Sequence, residues 1–173
     1  MVNLNEYLYK KMDILFLALN APFNSNKNKH WFSNNLSFWN VLYKAGLIAE
    51  RINDKFSADE IVFGGQSINY KNLIYGVTDL NRKDVQTDSN NVKVHSNDVK
   101  RILDILDENK VGILCIVHSK VFNMFRKVNL INLNTKYGHV GNYQKTKIFN
   151  VPFHNASIPN KHNYYGILKK EFY

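Results

Sequence analysis

A run of uninterrupted apolar residues, Ile14-Leu15-Phe16-Leu17-Ala18-Leu19, stops abruptly at Asn20-Ala21-Pro22. The run is short and bounded by a proline, so it reads as a buried strand more readily than as a helix. A strand apolar on both faces needs a covering layer above and below, which restricts the chain to folds in which helices sandwich a sheet. Asn20 then sits at the carboxyl mouth of a core strand, where such sheets meet their ligands. The competing local role for Asn20 is to bond the turn backbone while Pro22 shapes the exit.

The rest of the chain extends this pattern. Residues 73–80, 111–117 and 147–151 are further short apolar stretches. Between them lie helical patterns. Leu36, Trp39, Leu42 and Tyr43 share one face over residues 36–45, with Gly46 as terminator and Ser37 or Asn35 as cap. Ser96 is an expected N-cap for a helix carrying Val99, Ile102, Leu103, Ile105 and Leu106. Residues 120–126 and 164–172 complete the helices, and residues 2–12 suggest a short leading one. Strands alternating with helices predict a three-layer α/β/α domain over residues 1–173, with a central, mainly parallel four-stranded sheet. Residues 23–35, a long loop carrying His30-Trp31-Phe32, invite a functional explanation. Residues 82–97 read as a polar surface excursion. In this architecture Asn20, the segment after Val117 and His154-Asn155 converge on one edge.

Several chemistries lack their motifs. Gly64-Gly65 has neither the spacing nor the following Lys-Ser or Lys-Thr of a phosphate loop. The six histidines show no pair at metal-ligand spacing, so no metal or other cofactor is expected, and no nucleophile elbow marks a Ser-His-Asp site. Carboxylates are missing from the expected rim, where Asn, His and Ser dominate; a reaction there would rely on a positioned water and neutral hydrogen bonds. Cys115, the one cysteine, lies inside an apolar run and is expected in the core of a protein kept reduced. An early acidic residue and the lack of a long apolar run argue against a signal peptide or a membrane span. The formal net charge of +9 favours a polyanionic partner.

The rim segments together resemble the uracil-DNA glycosylase superfamily, closest to its mismatch-specific uracil/thymine branch. Leu15 to Asn20 with the loop to Phe32 is similar to the branch's first motif, Phe38-Trp39-Asn40-Val41-Leu42 to its phenylalanine-tryptophan helix, and Tyr75-Gly76-Val77-Thr78-Asp79-Leu80 to the next landmark. Val111 to His118 and Val151 to Ser157 resemble the following strand and the last motif. The resemblance implies a monofunctional DNA glycosylase that hydrolyses the N-glycosidic bond of uracil, or of a related deaminated or mismatched base, in double-stranded DNA. It makes Asn20 the water-positioning residue, with His154 and Asn155 as catalytic partners on the minor-groove side. Ala21, Phe32, Asn34, Asn35 and Ser157 would contact the extruded nucleotide, and Lys29, Lys120, Lys145 and Lys161 the phosphates. Ala21-Pro22 departs from the branch's Pro-Gly, and proline supplies no N–H. A hypoxanthine-directed branch is also similar, and on that version Asn34 or Asn35 takes the catalytic role. A catalytically silent DNA-binding relative is a further alternative, and an unrelated α/β hydrolase or nucleotide-binding protein is the last. The implied protein is a monomer, with no membrane partner, in the cytoplasm or at the nucleoid, or in a eukaryotic nucleus.

Overall fold

The computed structural model describes residues 1–152 and 156–173. The leading apolar run forms β1 (Lys11–Ala18), at the heart of the sheet. It is followed by two helices, α1 (Phe23–Asn28) and α2 (Ser37–Lys44). Next come β2 (Tyr75–Asp79), α3 (Ser96–Glu108), β3 (Lys110–Ile116) and α4 (Ser119–Lys127). The chain then runs through β4 (Gly138–Tyr143), β5 (Thr146–Asn150) and α5 (Ile158–Lys170). The strand order is β2-β1-β3-β5-β4, parallel throughout except where β4 runs antiparallel to β5.

Alternation along the strands divides the core in two. Leu15, Leu17, Leu114, Ile116 and Ile148 pack against Val99, Ile102 and Leu106 of α3 and Val121, Phe122 and Phe125 of α4. Ile14, Phe16, Tyr75, Ile113 and Phe149 face the other way, toward Trp39 and Leu42 of α2, Phe63, and Tyr165 and Leu168 of α5. The three-layer α/β/α architecture with a mainly parallel sheet is therefore present.

The sheet has five strands rather than the expected four. The fifth, β4, contains a single buried aliphatic residue, Val140, between glycines, so it offers no apolar run to read. Backbone pairing makes it a strand: it joins β5 through a tight turn in which Gln144 adopts a φ of 51°. The register shifts between His139 and Gly141, and a Cβ at Gly141 would approach the Leu130 carbonyl oxygen to 2.6 Å. A bulge and a close backbone approach are the usual reasons for glycine inside a strand.

Other boundaries move for local reasons. Residues 2–12 form no helix. Instead Tyr7 pairs with Val77 across the free side of β2, exchanging backbone bonds of 3.2 and 3.0 Å, and so covers a sheet edge. The long loop after β1 contains α1. Ser96 is the first residue of α3, one position inside the cap, and the Asp98 carboxylate accepts from the His95 N–H at 2.7 Å. The last helix starts at Ile158, earlier than expected, because Ser157 caps it and Pro159 suits a first turn. Gly46 ends the helical run after α2 at a φ of +74°. No helix among the described residues is long and apolar enough to cross a membrane.

Candidate functional site

A cleft of about 570 Å³ opens at the carboxyl edge of the sheet. Asn20 after β1, Asp79 at the end of β2, His118 after β3 and Pro152 after β5 contribute to its lining. Phe32, Asn34 and Asn35 come from the stretch before α2, Phe38 from α2, and Lys161 and Tyr165 from α5. With Leu4 and residues 86–90, the site collects side chains from eight separate stretches of chain.

Asn20 is only 9% exposed. Its Nδ2 donates to the carbonyls of Ala21 (3.2 Å), Asp84 (3.4 Å) and Gln86 (2.8 Å). These bonds join the turn to the polar excursion, which Ala21 also engages: its carbonyl accepts from the Gln86 N–H at 3.0 Å, and Ala21 pairs with Val85. The excursion is therefore not free surface. Gln86, Thr87, Asp88 and Ser89 form one wall of the cleft. Lys120 secures the same wall from below, donating from Nζ to the carbonyls of Ser89 (2.7 Å) and Val92 (2.6 Å).

The aromatic stretch is held just as firmly. Buried Asp59 accepts from the Trp31 N–H at 2.8 Å and meets His30 Nδ1 at 2.9 Å. Phe32 adopts a φ of 49°, which a bulky residue keeps only when its surroundings impose it. Its ring stacks on Phe38 with centroids 3.9 Å apart and meets Trp39 edge-on at 5.9 Å. The Trp39 indole N–H donates to the Phe32 carbonyl at 3.2 Å. Asn34 and Asn35 are exposed, and both carboxamide oxygens already accept: Asn34 from Asn24 at 3.0 Å, and Asn35 from the Ser37 N–H at 2.8 Å, one residue ahead of the Leu36 cap of α2.

Asp79 is the functional candidate that the sequence did not reveal, and it corrects the expectation of a rim without carboxylates. It is fully buried. Its Oδ2 meets Arg82 Nη1 at 3.3 Å, while its Oδ1 has no hydrogen-bond partner among the described residues. Burial pushes its carboxyl up to about 7, against the downward pull of the Arg82 guanidinium. Arg101 from α3 donates to the Asp79 backbone carbonyl and, from Nη1, to Glu6 at 3.1 Å. Arg82 donates in turn to the Leu4 carbonyl. The strap at residues 4–7 is thereby bound to the cleft wall. Asp79 sits inside an apolar stretch, and only the sheet register, which sets it opposite Ala18, brings it beside the mouth of β1.

The remaining expected residues divide clearly. Lys161 lies in α5 at only 9% exposure and lines the cleft. His118 caps α4, its Nδ1 accepting from the Lys120 N–H at 3.0 Å. Ser157 caps α5, and Lys29, exposed, ends α1 at a φ of 63°. Lys145 lies in the β4–β5 turn, at the amino edge of the sheet and away from the cleft. His154 and Asn155 fall outside the described residues. Burial keeps the Tyr165 phenol well above its ordinary range, so it stays neutral. Among the described residues, no group of three or more His, Cys, Asp or Glu side chains is placed to hold a metal ion. No family model matches this chain, and neither does any curated protein.

Proposed function

We propose that this chain is a monofunctional DNA glycosylase of the uracil-DNA glycosylase type, hydrolysing the bond between deoxyribose and uracil or a related damaged base. The observation that carries the reading is the meeting of Asn20, the Phe32–Phe38 stack and Lys161 in one cleft. Its volume of about 570 Å³ suits a small planar ligand.

The chemistry follows from what the residues can supply. The base leaves the helix stack, at a cost of a few kcal/mol, and gains the aromatic surface of Phe32 and Phe38. As the bond from C1′ to the base breaks, its electron pair departs with the base nitrogen and the sugar becomes cationic. A water then adds its oxygen to C1′, and its proton is released to solvent or to the base anion. Asn20 is a neutral amide and removes no proton. Its Nδ2 is fixed by three carbonyls, which leaves Oδ1 to orient the attacking water. A cation on the sugar accepts a weak nucleophile, so orientation matters more than basicity. Asp79, when ionised, adds negative charge at the wall. The Lys161 ammonium suits a phosphate or the departing anion.

The capture of both the Asn34 and Asn35 oxygens favours Asn20 over the hypoxanthine-directed arrangement. One observation favours the silent, DNA-binding alternative: the Asn20 amide already serves as scaffold for the excursion wall. The two are separated by incubating the protein with duplexes carrying a U·G pair, a T·G mismatch or hypoxanthine, and revealing abasic sites with alkali. Excision of uracil is expected. Asn20→Ala should lower it about a hundredfold or more, while Asn35→Ala keeps most of it. Binding without cleavage of any lesion would leave only the silent alternative, and loss confined to Asn35→Ala would move the catalytic role.

A further inference from the structure

A second pocket adjoins the first along the same edge. It encloses about 760 Å³, and Ser119, the first residue of α4, belongs to the walls of both. Its floor is the end of β5, Asn150 and Val151, which continues directly into Pro152 of the first cleft. The two pockets therefore lie side by side over the carboxyl ends of β3 and β5.

Their chemistry differs. The first cleft contains the carboxylates Asp79 and Asp88; the lining of the second contains none. Arg126 and Lys136 are its charged members, accompanied by the amide of Asn123, the hydroxyl of Thr135 and the ring of Tyr137. Both cations are exposed, and each lies against a neighbouring ring rather than an acid. Arg126 Cζ lies 5.8 Å from the Phe122 centroid, and Lys136 Nζ lies 5.4 Å from that of Tyr137. Neither gives up charge to an ion pair among the described residues.

The loop carrying Lys136 is anchored in the fold. Asn150, 2% exposed, donates from Nδ2 to the Lys136 carbonyl at 2.6 Å, and the Thr135 hydroxyl donates to the Tyr137 carbonyl at 3.1 Å. The Tyr137 ring packs against Tyr164 of α5, with centroids 5.0 Å apart. Asn150 Oδ1 is a buried acceptor with no partner among the described residues. An unmet buried acceptor is unfavourable, and a hydroxyl or amino donor would satisfy it.

From this juxtaposition we infer that the second pocket binds the nucleotide next to the one whose base enters the first cleft. Arg126 and Lys136 hold its phosphate, and the amide, hydroxyl and aromatic groups meet its sugar and base. Two unpaired cations without a carboxylate select a phosphodiester; the partly exposed Tyr137 ring beside them suits the π-face of any base and so carries no sequence preference. The shared Ser119 wall makes the two sites successive on one strand. The inference rests on the nucleic-acid reading above, but not on excision.

The test measures binding of undamaged labelled duplex by fluorescence anisotropy across a salt series. Arg126→Ala/Lys136→Ala is compared with Lys10→Ala/Lys11→Ala, which removes the same charge from exposed positions at the amino edge. The first pair should weaken binding at least tenfold at low salt and flatten the slope of log affinity against log salt by about one, since the single phosphate the two cations share contributes about 0.9. The control pair should stay within twofold of the parent protein. Equal behaviour of the two double variants would overturn the inference. Because undamaged DNA is not processed, an absence of excision on uracil with a flattened slope would sink the glycosylase reading alone. Excision with an unchanged slope would sink this inference alone.

Discussion

At Asp79 a carboxyl group that the fold buries completely stays hard to ionise, although two arginines lie around it. Desolvation outweighs the Arg82 guanidinium, and Glu6 adds an opposing negative charge. With its folded value raised to about 7 from an ordinary 3.8, the folded state holds a proton that the unfolded chain releases between those values. Stability contributed by this group is therefore complete below about pH 4 and is lost as the pH rises toward 7. Asp79→Asn, which can still accept from Arg82, should remove that slope. Its melting temperature relative to the parent should rise between pH 4 and pH 7, with a gain on the order of a few kcal/mol at the upper end. A difference independent of pH would show that Asp79 does not titrate in that window. Asp79 also illustrates why single residues of the site were unevenly legible. Asn20 follows the end of an apolar run and declares itself, whereas Asp79 lies within one and gains meaning only from its partners across the sheet. Asp59 is similar, because its role in holding Trp31 depends on a contact made 28 residues away in sequence.

Among the elements, β2 has the least room to vary. It is the outer parallel strand of the sheet, and Tyr7 pairs along its open side. Gly76 is the reason the strap can approach so closely. A Cβ there would collide with Met12 Sδ and stand 2.7 Å from the Tyr7 carbonyl oxygen, the acceptor for the Val77 N–H. Gly76→Ala is expected to destabilise the fold by about 1–3 kcal/mol, the usual cost of overpacking. It should also loosen residues 4–7, visible as faster hydrogen exchange at Val77. Unchanged denaturation midpoint and exchange would mean that the strap does not depend on this contact. Elements with strong periodicity, α2 and α3, and those with continuous apolar runs, β1 and β3, could be read from the sequence because their own side chains satisfy the pattern. The strap and β4 could not. Backbone hydrogen bonds to β5 hold β4, and the strap is held by the Tyr7–Val77 pair together with Arg82, Arg101 and Trp31 from far along the chain, so neither leaves much trace in its own residue types.

Across the whole molecule, the +9 charge does not by itself locate a ligand face, because Lys10, Lys11, Lys110 and Lys145 crowd the amino edge while the clefts lie at the other. What distinguishes the carboxyl edge is shape joined to charge, and shape depends on contacts that no window of sequence contains. The same long-range packing makes Cys115 a reporter of the entire fold. It sits in β3, the middle strand, between two covering layers, and burial drives its thiol well above the usual range. Reaction with a thiol reagent requires the thiolate and access to it, so the native protein should be inert while the unfolded chain reacts. Labelling in increasing denaturant should then proceed only through opening of the central sheet. The opening free energy obtained from labelling rates should match that from equilibrium unfolding, within about 1 kcal/mol. Labelling at a much lower free energy would mean that α2 and α5 detach from the sheet before the rest unfolds. Because α5 also carries Lys161 and Tyr165 into the first cleft, that result would separate the stability of the site from the stability of the core.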